Sequence, residues 1–154
     1  MNEVTSWRKP SAAVPVIISV PGKNPAVSDS LVELLDLYPT TAALCGLGVP
    51  ERLQGLDLSP VLDDPEHEVR DAAFSVSPMQ RGFLLREPDW AYIQYGEDAS
   101  RGVELFDMRK DPKQYTNLAA SPEHTKVVER FKAGMRAKLQ ALRANDLPPS
   151  ESGP

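Results

Sequence analysis

From Ala72 to Asp107 the chain is written in short β-like segments separated by turn-forming residues, and this stretch most constrains the fold. Trp90-Ala91-Tyr92-Ile93-Gln94-Tyr95 alternates strictly, with Trp90, Tyr92 and either Gln94 or Ile93 marking its opposite faces. Ala73-Phe74-Ser75-Val76-Ser77 and Gly82-Phe83-Leu84-Leu85-Arg86 read as strands, Glu87-Pro88-Asp89 as a turn, Gly96 to Gly102 as a loop and Val103 to Asp107 as a final strand. Consecutive short strands with tight turns predict an antiparallel meander of three or four strands. One of its faces needs a cover, and the last helix can supply it. Ser121 stands before Pro122 and Glu123, a cap followed by a first-position proline and a first-turn acid. Val128, Phe131, Met135, Leu139 and Leu142 then recur at spacings of three and four and make one apolar stripe. Lys126, Arg130, Lys132, Arg136, Lys138 and Arg143 lie mainly off it. Beyond Asn145, the segment Leu147 to Pro154 reads as a disordered tail.

The upstream half is less regular. Val14-Pro15-Val16-Ile17-Ile18-Ser19-Val20, ended by Pro21-Gly22, reads as a buried strand and a turn. Such unalternating strands belong to sheets covered on both faces, and too few similar runs follow to build one. The strand is therefore expected to lack neighbours, to expose its apolar side chains and to favour self-association. Ser28 or Ser30 is a candidate cap for a helix carrying Leu31, Leu34, Leu35 and Tyr38 on one face. Pro39 is expected to interrupt it, with Thr40 capping a second short helix that ends at Gly46 and Gly48. Leu53 to Leu62 reads as a loop with one helical turn, with Gly55 as a turn residue, and Pro65 to Arg70 as exposed. Fifteen prolines in 154 residues, clustered at these boundaries, argue for a loop-rich fold rather than a helical bundle.

The formal net charge of −5 argues against nucleic acid or an anionic membrane as partner. Arg8-Lys9 and Arg109-Lys110 read as solvated surface. A single cysteine, Cys45, excludes an intramolecular disulfide and a multi-cysteine metal site. No apolar run approaches the ~20 residues of a membrane helix. The first residues carry no secretory signal pattern, which leaves localisation undecided if the chain is part of a longer one.

Four stretches, in order, carry a family resemblance. They are Val14-Pro15-Val16-Ile17 with Pro21-Gly22, Val32-Glu33-Leu34-Leu35-Asp36-Leu37-Tyr38-Pro39-Thr40, Gly46-Leu47-Gly48-Val49-Pro50 with Leu53-Gln54-Gly55-Leu56-Asp57-Leu58-Ser59-Pro60-Val61-Leu62, and Glu104-Leu105-Phe106-Asp107 with Asp111-Pro112 and Asn117-Leu118. Together they resemble the C-terminal third of type I sulfatases, in particular the iduronate-2-sulfatase-like branch. The resemblance implies an α/β, alkaline-phosphatase-like fold, of which this chain holds a part with α+β character: an antiparallel sheet of about four strands packed with a terminal helix. It implies a division into residues 1–66, a remnant of the catalytic domain, residues 67–145, the C-terminal subdomain, and the tail 146–154. Intact members are sulfuric ester hydrolases acting on sulfated sugars, use calcium and are commonly exported.

The chemistry expected of such an enzyme is not legible here. The nucleophile, a formylglycine, arises within Cys/Ser-x-Pro-Ser-Arg, whereas Cys45 precedes Gly46-Leu47-Gly48-Val49 and reads as a small buried hydrophobe. Asp63-Asp64 lies between prolines and beside Glu66 and Glu68, an acidic turn rather than a set of converging oxygen ligands. His67 and His124 read as surface residues. Trp7-Arg8-Lys9 resembles the Trp-x-Lys element whose lysine contacts the substrate sulfate, but only Pro10 to Ala13 separate Lys9 from Val14, fewer residues than that family has. A solvated lysine is the plainer alternative. There is no nucleophile elbow, P-loop or dinucleotide glycine pattern. Two functions follow as expectations: the C-terminal part of a sulfatase, inactive alone and without a cofactor of its own, or a non-catalytic binding module derived from that subdomain.

Overall fold

A computed structural model describes residues 13–77 and 82–143. Its centre is one four-stranded antiparallel sheet in the order β1-β2-β3-β4, with β1 at Ala73–Val76, β2 at Gly82–Arg86, β3 at Trp90–Tyr95 and β4 at Val103–Asp107. The register pairs Phe74 with Leu85, Leu85 with Tyr92 and Tyr92 with Leu105, so one face carries these residues together. Pro88 and Asp89 make the β2–β3 turn, closed by Glu87 N–H to Trp90 O at 2.9 Å. The wider β3–β4 loop starts and ends on Gly96 and Gly102, both at positive φ, where a side chain would be strained.

The expected meander and its cover are both present. Helix α3 spans Thr125–Arg143 and is entered through a 3-10 turn at Pro122–His124. Ser121 sits at the cap position in extended conformation, but its hydroxyl makes no capping bond. Val128, Phe131, Met135 and Leu139 are buried against Phe83, Leu85, Tyr92 and Leu105. Phe131 stacks on Tyr92 with centroids 5.3 Å apart. Each such side chain contributes ~1.5–3 kcal/mol. Arg130 fixes the helix to the β2–β3 turn through a forked pair with Glu87 at 2.5 and 2.8 Å.

The second sheet face is buried too, by Leu84, Ala91, Ile93, Phe106 and Met108. Strict alternation predicts one apolar face only. The unbroken runs Phe83-Leu84-Leu85 and Leu105-Phe106 carried the contrary signal, because continuous apolar strands are covered on both sides.

Each outer strand has hydrogen-bonding positions taken by other parts of the chain. Asn117 Oδ1 accepts the Leu105 N–H at 3.0 Å, and Leu118 N–H donates to Leu105 O at 2.8 Å, which occupies the free edge of β4. On the other side Glu33 Oε1 accepts the Phe74 N–H of β1 at 2.8 Å. Asp107 and Asp111 shape the turn that brings Asn117 back, accepting from Lys110 N–H and Thr116 N–H respectively.

Upstream, several expectations change. Val14 to Val20 forms no strand, and Val14, Val16 and Ile17 are exposed. A strand persists only beside a hydrogen-bonding neighbour, and this segment pairs with no strand of the described sheet. Pro39 does not interrupt a helix. A 3-10 turn at Leu34–Asp36 leads directly into α1, Leu37–Leu44, and Pro39 falls in its first turn, where no N–H is needed. Thr40 is therefore inside the helix rather than at its cap. The single helical turn expected near Leu62 is α2, Ser59–Asp63. The tail 146–154 lies outside the described residues.

Candidate functional site

The most concentrated polar chemistry is buried between α1, the 53–58 segment and the entry to β1. Asp36 has no exposed surface. Its carboxylate accepts four hydrogen bonds: from Glu33 N–H at 2.6 Å, Leu56 N–H at 2.8 Å, and the two terminal nitrogens of Arg70 at 2.5 and 2.6 Å. Arg70 also lies 3.7 Å from Glu33, which in turn holds β1. One turn further on, the buried Thr40 hydroxyl donates to Asp36 O and accepts the Leu58 N–H. Burial alone would raise the Asp36 carboxyl, but the Arg70 fork and the Leu56 and Glu33 N–H groups outweigh it and hold the group below its ordinary value. Arg70 is shifted upward, first by the Asp36 bond, against burial.

Gly55 completes this cluster. A Cβ there would lie 2.2 Å from Leu35 O, so the loop can approach the helix backbone only as glycine. Its role is close contact, not the turn that the sequence suggests. Every acceptor position of Asp36 is filled from within the protein, which makes the cluster a clamp rather than a reaction centre.

The residues singled out for chemistry do not converge. Lys9, with Trp7 and Arg8, lies outside the described residues. Asp63 and Asp64 are exposed, and Asp63 pairs with Lys23. His67 is exposed in its loop. His124 is half-buried, its ring edge-on to Trp90 at 5.7 Å, so it is a packing residue more than a free surface one. Cys45 is exposed, not buried: it stands at the C-terminal end of α1 on the helix side turned to solvent. Among the described residues no group of three or more His, Cys, Asp and Glu side chains comes together as a metal site. The described residues do not supply the converging oxygen ligands that a calcium ion needs. The Asp36–Arg70 pair was missed as a pair. Its signal was an acid set among Leu34, Leu35 and Leu37, where a charge needs a partner.

Among known proteins, a family described as N-sulphoglucosamine sulphohydrolase, C-terminal, matches residues 6–144. The chain belongs to this sulfatase C-terminal family. Arylsulfatase K of Homo sapiens is 32% identical over 133 residues, 78% of this chain and 25% of that protein. Delta 4,5-hexuronate-2-O-sulfatase of Bacteroides thetaiotaomicron is 33% identical over 132 residues, 78% of this chain and 27% of that protein. The solved structure of a 2-O GAG sulfatase superposes with a TM-score of 0.61 at 28% identity, covering 71% of this chain and 25% of the other. The chain thus spans about a quarter of the length of the curated relatives it matches. The sheet with its helix is the C-terminal subdomain of an alkaline-phosphatase-like sulfatase fold. The Asp36–Arg70 clamp, with Glu33 on β1, fixes the 33–58 segment against the edge of the sheet.

Proposed function

We propose that this chain is the C-terminal part of a sulfatase acting on sulfated sugars and that it hydrolyses no sulfuric ester by itself. The match of residues 6–144 to the sulfatase C-terminal family carries this reading. Relatives named as a hexuronate-2-O-sulfatase and a 2-O GAG sulfatase support the substrate class. The inactivity rests on the sequence, which holds no Cys/Ser-x-Pro-Ser-Arg, and on the lack of a metal-holding cluster among the described residues. Nucleophile and calcium ligands would then come from outside this chain. Within it, residues 1–66 continue the catalytic domain and 67–145 form the subdomain that shapes one side of the cleft. Lys9, through its resemblance in Trp7-Arg8-Lys9, is the residue proposed to reach the sulfate.

The test is an aryl sulfate assay with calcium on the purified chain, produced together with a formylglycine-generating enzyme. The expected rate equals that of the buffer. Turnover that follows the chain through purification would overturn the inactivity.

A further inference from the structure

The charge of this chain is unevenly distributed. Helix α3, 19 residues long, carries six of the 17 lysines and arginines and one of the 22 acids. With a formal net charge of −5 overall and +5 on the helix, the remainder stands at −10. The helix buries its apolar stripe on the sheet, so its cations are turned outward. Three of them meet carboxylates: Arg130 with Glu87, Lys132 with Glu129 at 2.9 Å, and Arg143 with Glu97. Lys138 lies over the Phe74 ring at 5.7 Å. Lys126 and Arg136 are exposed and have no carboxylate partner among the described residues. Lys126, Arg136 and Lys138 are thus left without a counter-charge on one element. A single exposed cation is only solvated. A surplus concentrated on one helix of an acidic protein sets up a local field opposite in sign to its surroundings.

We propose that the outward side of α3 holds a sulfated polysaccharide chain, at a site that uses none of the groups of the hydrolytic reaction. The substrate class rests on the family reading above; the second site goes beyond it. Charge complementarity selects this occupant. From Lys126 to Arg143 the helix runs about 26 Å at 1.5 Å per residue, so its cations match a polymer with repeated fixed negative charges rather than one anion. A flexible single strand can follow one helix and avoid the acidic remainder. A bilayer or a nucleic-acid duplex presents a broad anionic surface and would meet that remainder as well. Exposed ion pairs are individually weak, so the binding should need a run of sulfates, strengthen with the length of the polymer and fade as salt is added.

The experiment titrates the full chain at low ionic strength with labelled heparin fragments, short and long. Hyaluronan, which carries carboxylates but no sulfate, a DNA duplex and phosphatidylserine vesicles are titrated alongside. Saturable binding is expected for long heparin fragments, weaker binding for short ones, and loss of both in high salt. Lys126→Glu with Arg136→Glu should weaken the heparin complex about tenfold, since each reversal replaces an attraction by a repulsion. It should leave the melting temperature unchanged, because neither side chain has a partner to lose; if it does not, Lys126→Ala with Arg136→Ala gives the same reading at smaller amplitude. Reversal of Arg109 and Lys110, in the turn after β4, should change the affinity far less. The proposal is overturned if heparin does not bind at low salt, or if reversal at Arg109 and Lys110 is as damaging as reversal on α3. It is overturned equally if hyaluronan, the duplex or the vesicles bind as tightly as heparin. Binding is read without turnover, so heparin binding that is lost in the α3 variants upholds the site whatever the aryl sulfate assay shows.

Discussion

Removing Arg70 should damage this protein far more than removing any of its exposed cations. The Asp36 carboxylate is wholly buried and receives two of its four hydrogen bonds from Arg70. In Arg70→Ala the carboxylate stays in place with only the Glu33 and Leu56 N–H groups to face it. Leaving one partner of a buried pair uncompensated costs about 3–5 kcal/mol. At about 3 °C per kcal/mol for a chain of this size, that is a fall of roughly 9–15 °C. The Lys23–Asp63 pair, whose side chains are 35% and 68% exposed, is the internal control, and Lys23→Ala should cost ~0–1 kcal/mol. Urea unfolding followed by circular dichroism measures both, and hydrogen exchange at Leu56 and Phe74 shows whether the loss is centred on the clamp. The pH dependence carries a sign. The folded-state value of Asp36 is depressed below its ordinary 3.8, so its stabilisation is present above that value and is lost as pH falls through the folded one. The gap between wild type and Arg70→Ala should therefore be widest near neutrality and narrow on acidification. A loss under 1 kcal/mol at neutral pH, or a gap that widens in acid, would refute the clamp. Asp36→Leu with Arg70→Met should recover most of the loss, since an apolar pair leaves no orphaned charge.

Gly55→Ala should destabilise by more than the ordinary cost of a surface substitution, because the new methyl would lie 2.2 Å from Leu35 O; a melting temperature within a degree of wild type would show that the loop yields freely. Phe131→Ala should cost about 3–5 kcal/mol by emptying the stack on Tyr92, read by denaturant titration, with a loss under 1 kcal/mol counting against that packing. Asn117→Ala leaves the Leu105 N–H without its acceptor and should cost ~1–3 kcal/mol; exchange of the Leu105 amide should quicken while that of Ile93, in the middle of the sheet, stays slow.

The sheet was readable from sequence because local signals and tertiary demand agree there. Period-two segments between Gly, Pro and Asp turns specify strands whatever surrounds them, and β2 to β4 fall where those signals place them. The stripe of α3 was readable for the same reason. The upstream half misled because its pattern obeys neighbours that the described residues do not include. Val14 to Val20 has the composition of a central strand and no strand partner among the described residues. Leu31, Leu34, Leu35 and Tyr38 read as one face of a helix interrupted by Pro39, whereas α1 starts at Leu37 and buries Asp36 and Thr40, an arrangement that the distant Arg70 makes tolerable. Pro39 looked like a break because sequence does not say which turn of a helix a proline occupies. No candidate site was legible beyond the family resemblance, since among the described residues the suspected acids and histidines do not come together as a metal site.

The side-chain caps on β1 and β4 have a consequence for how such a unit can be joined to others. Glu33 and Asn117 take hydrogen-bonding positions that a further strand would need. Those positions hinder a larger enzyme from extending the sheet there, and stray copies from pairing along it. Attachment is left to the faces, where fit depends on apolar shape instead of backbone pairing. Shape can drift residue by residue while the sheet stays intact. A subdomain bounded in this way can accompany catalytic bodies of differing specificity without its own strands having to change.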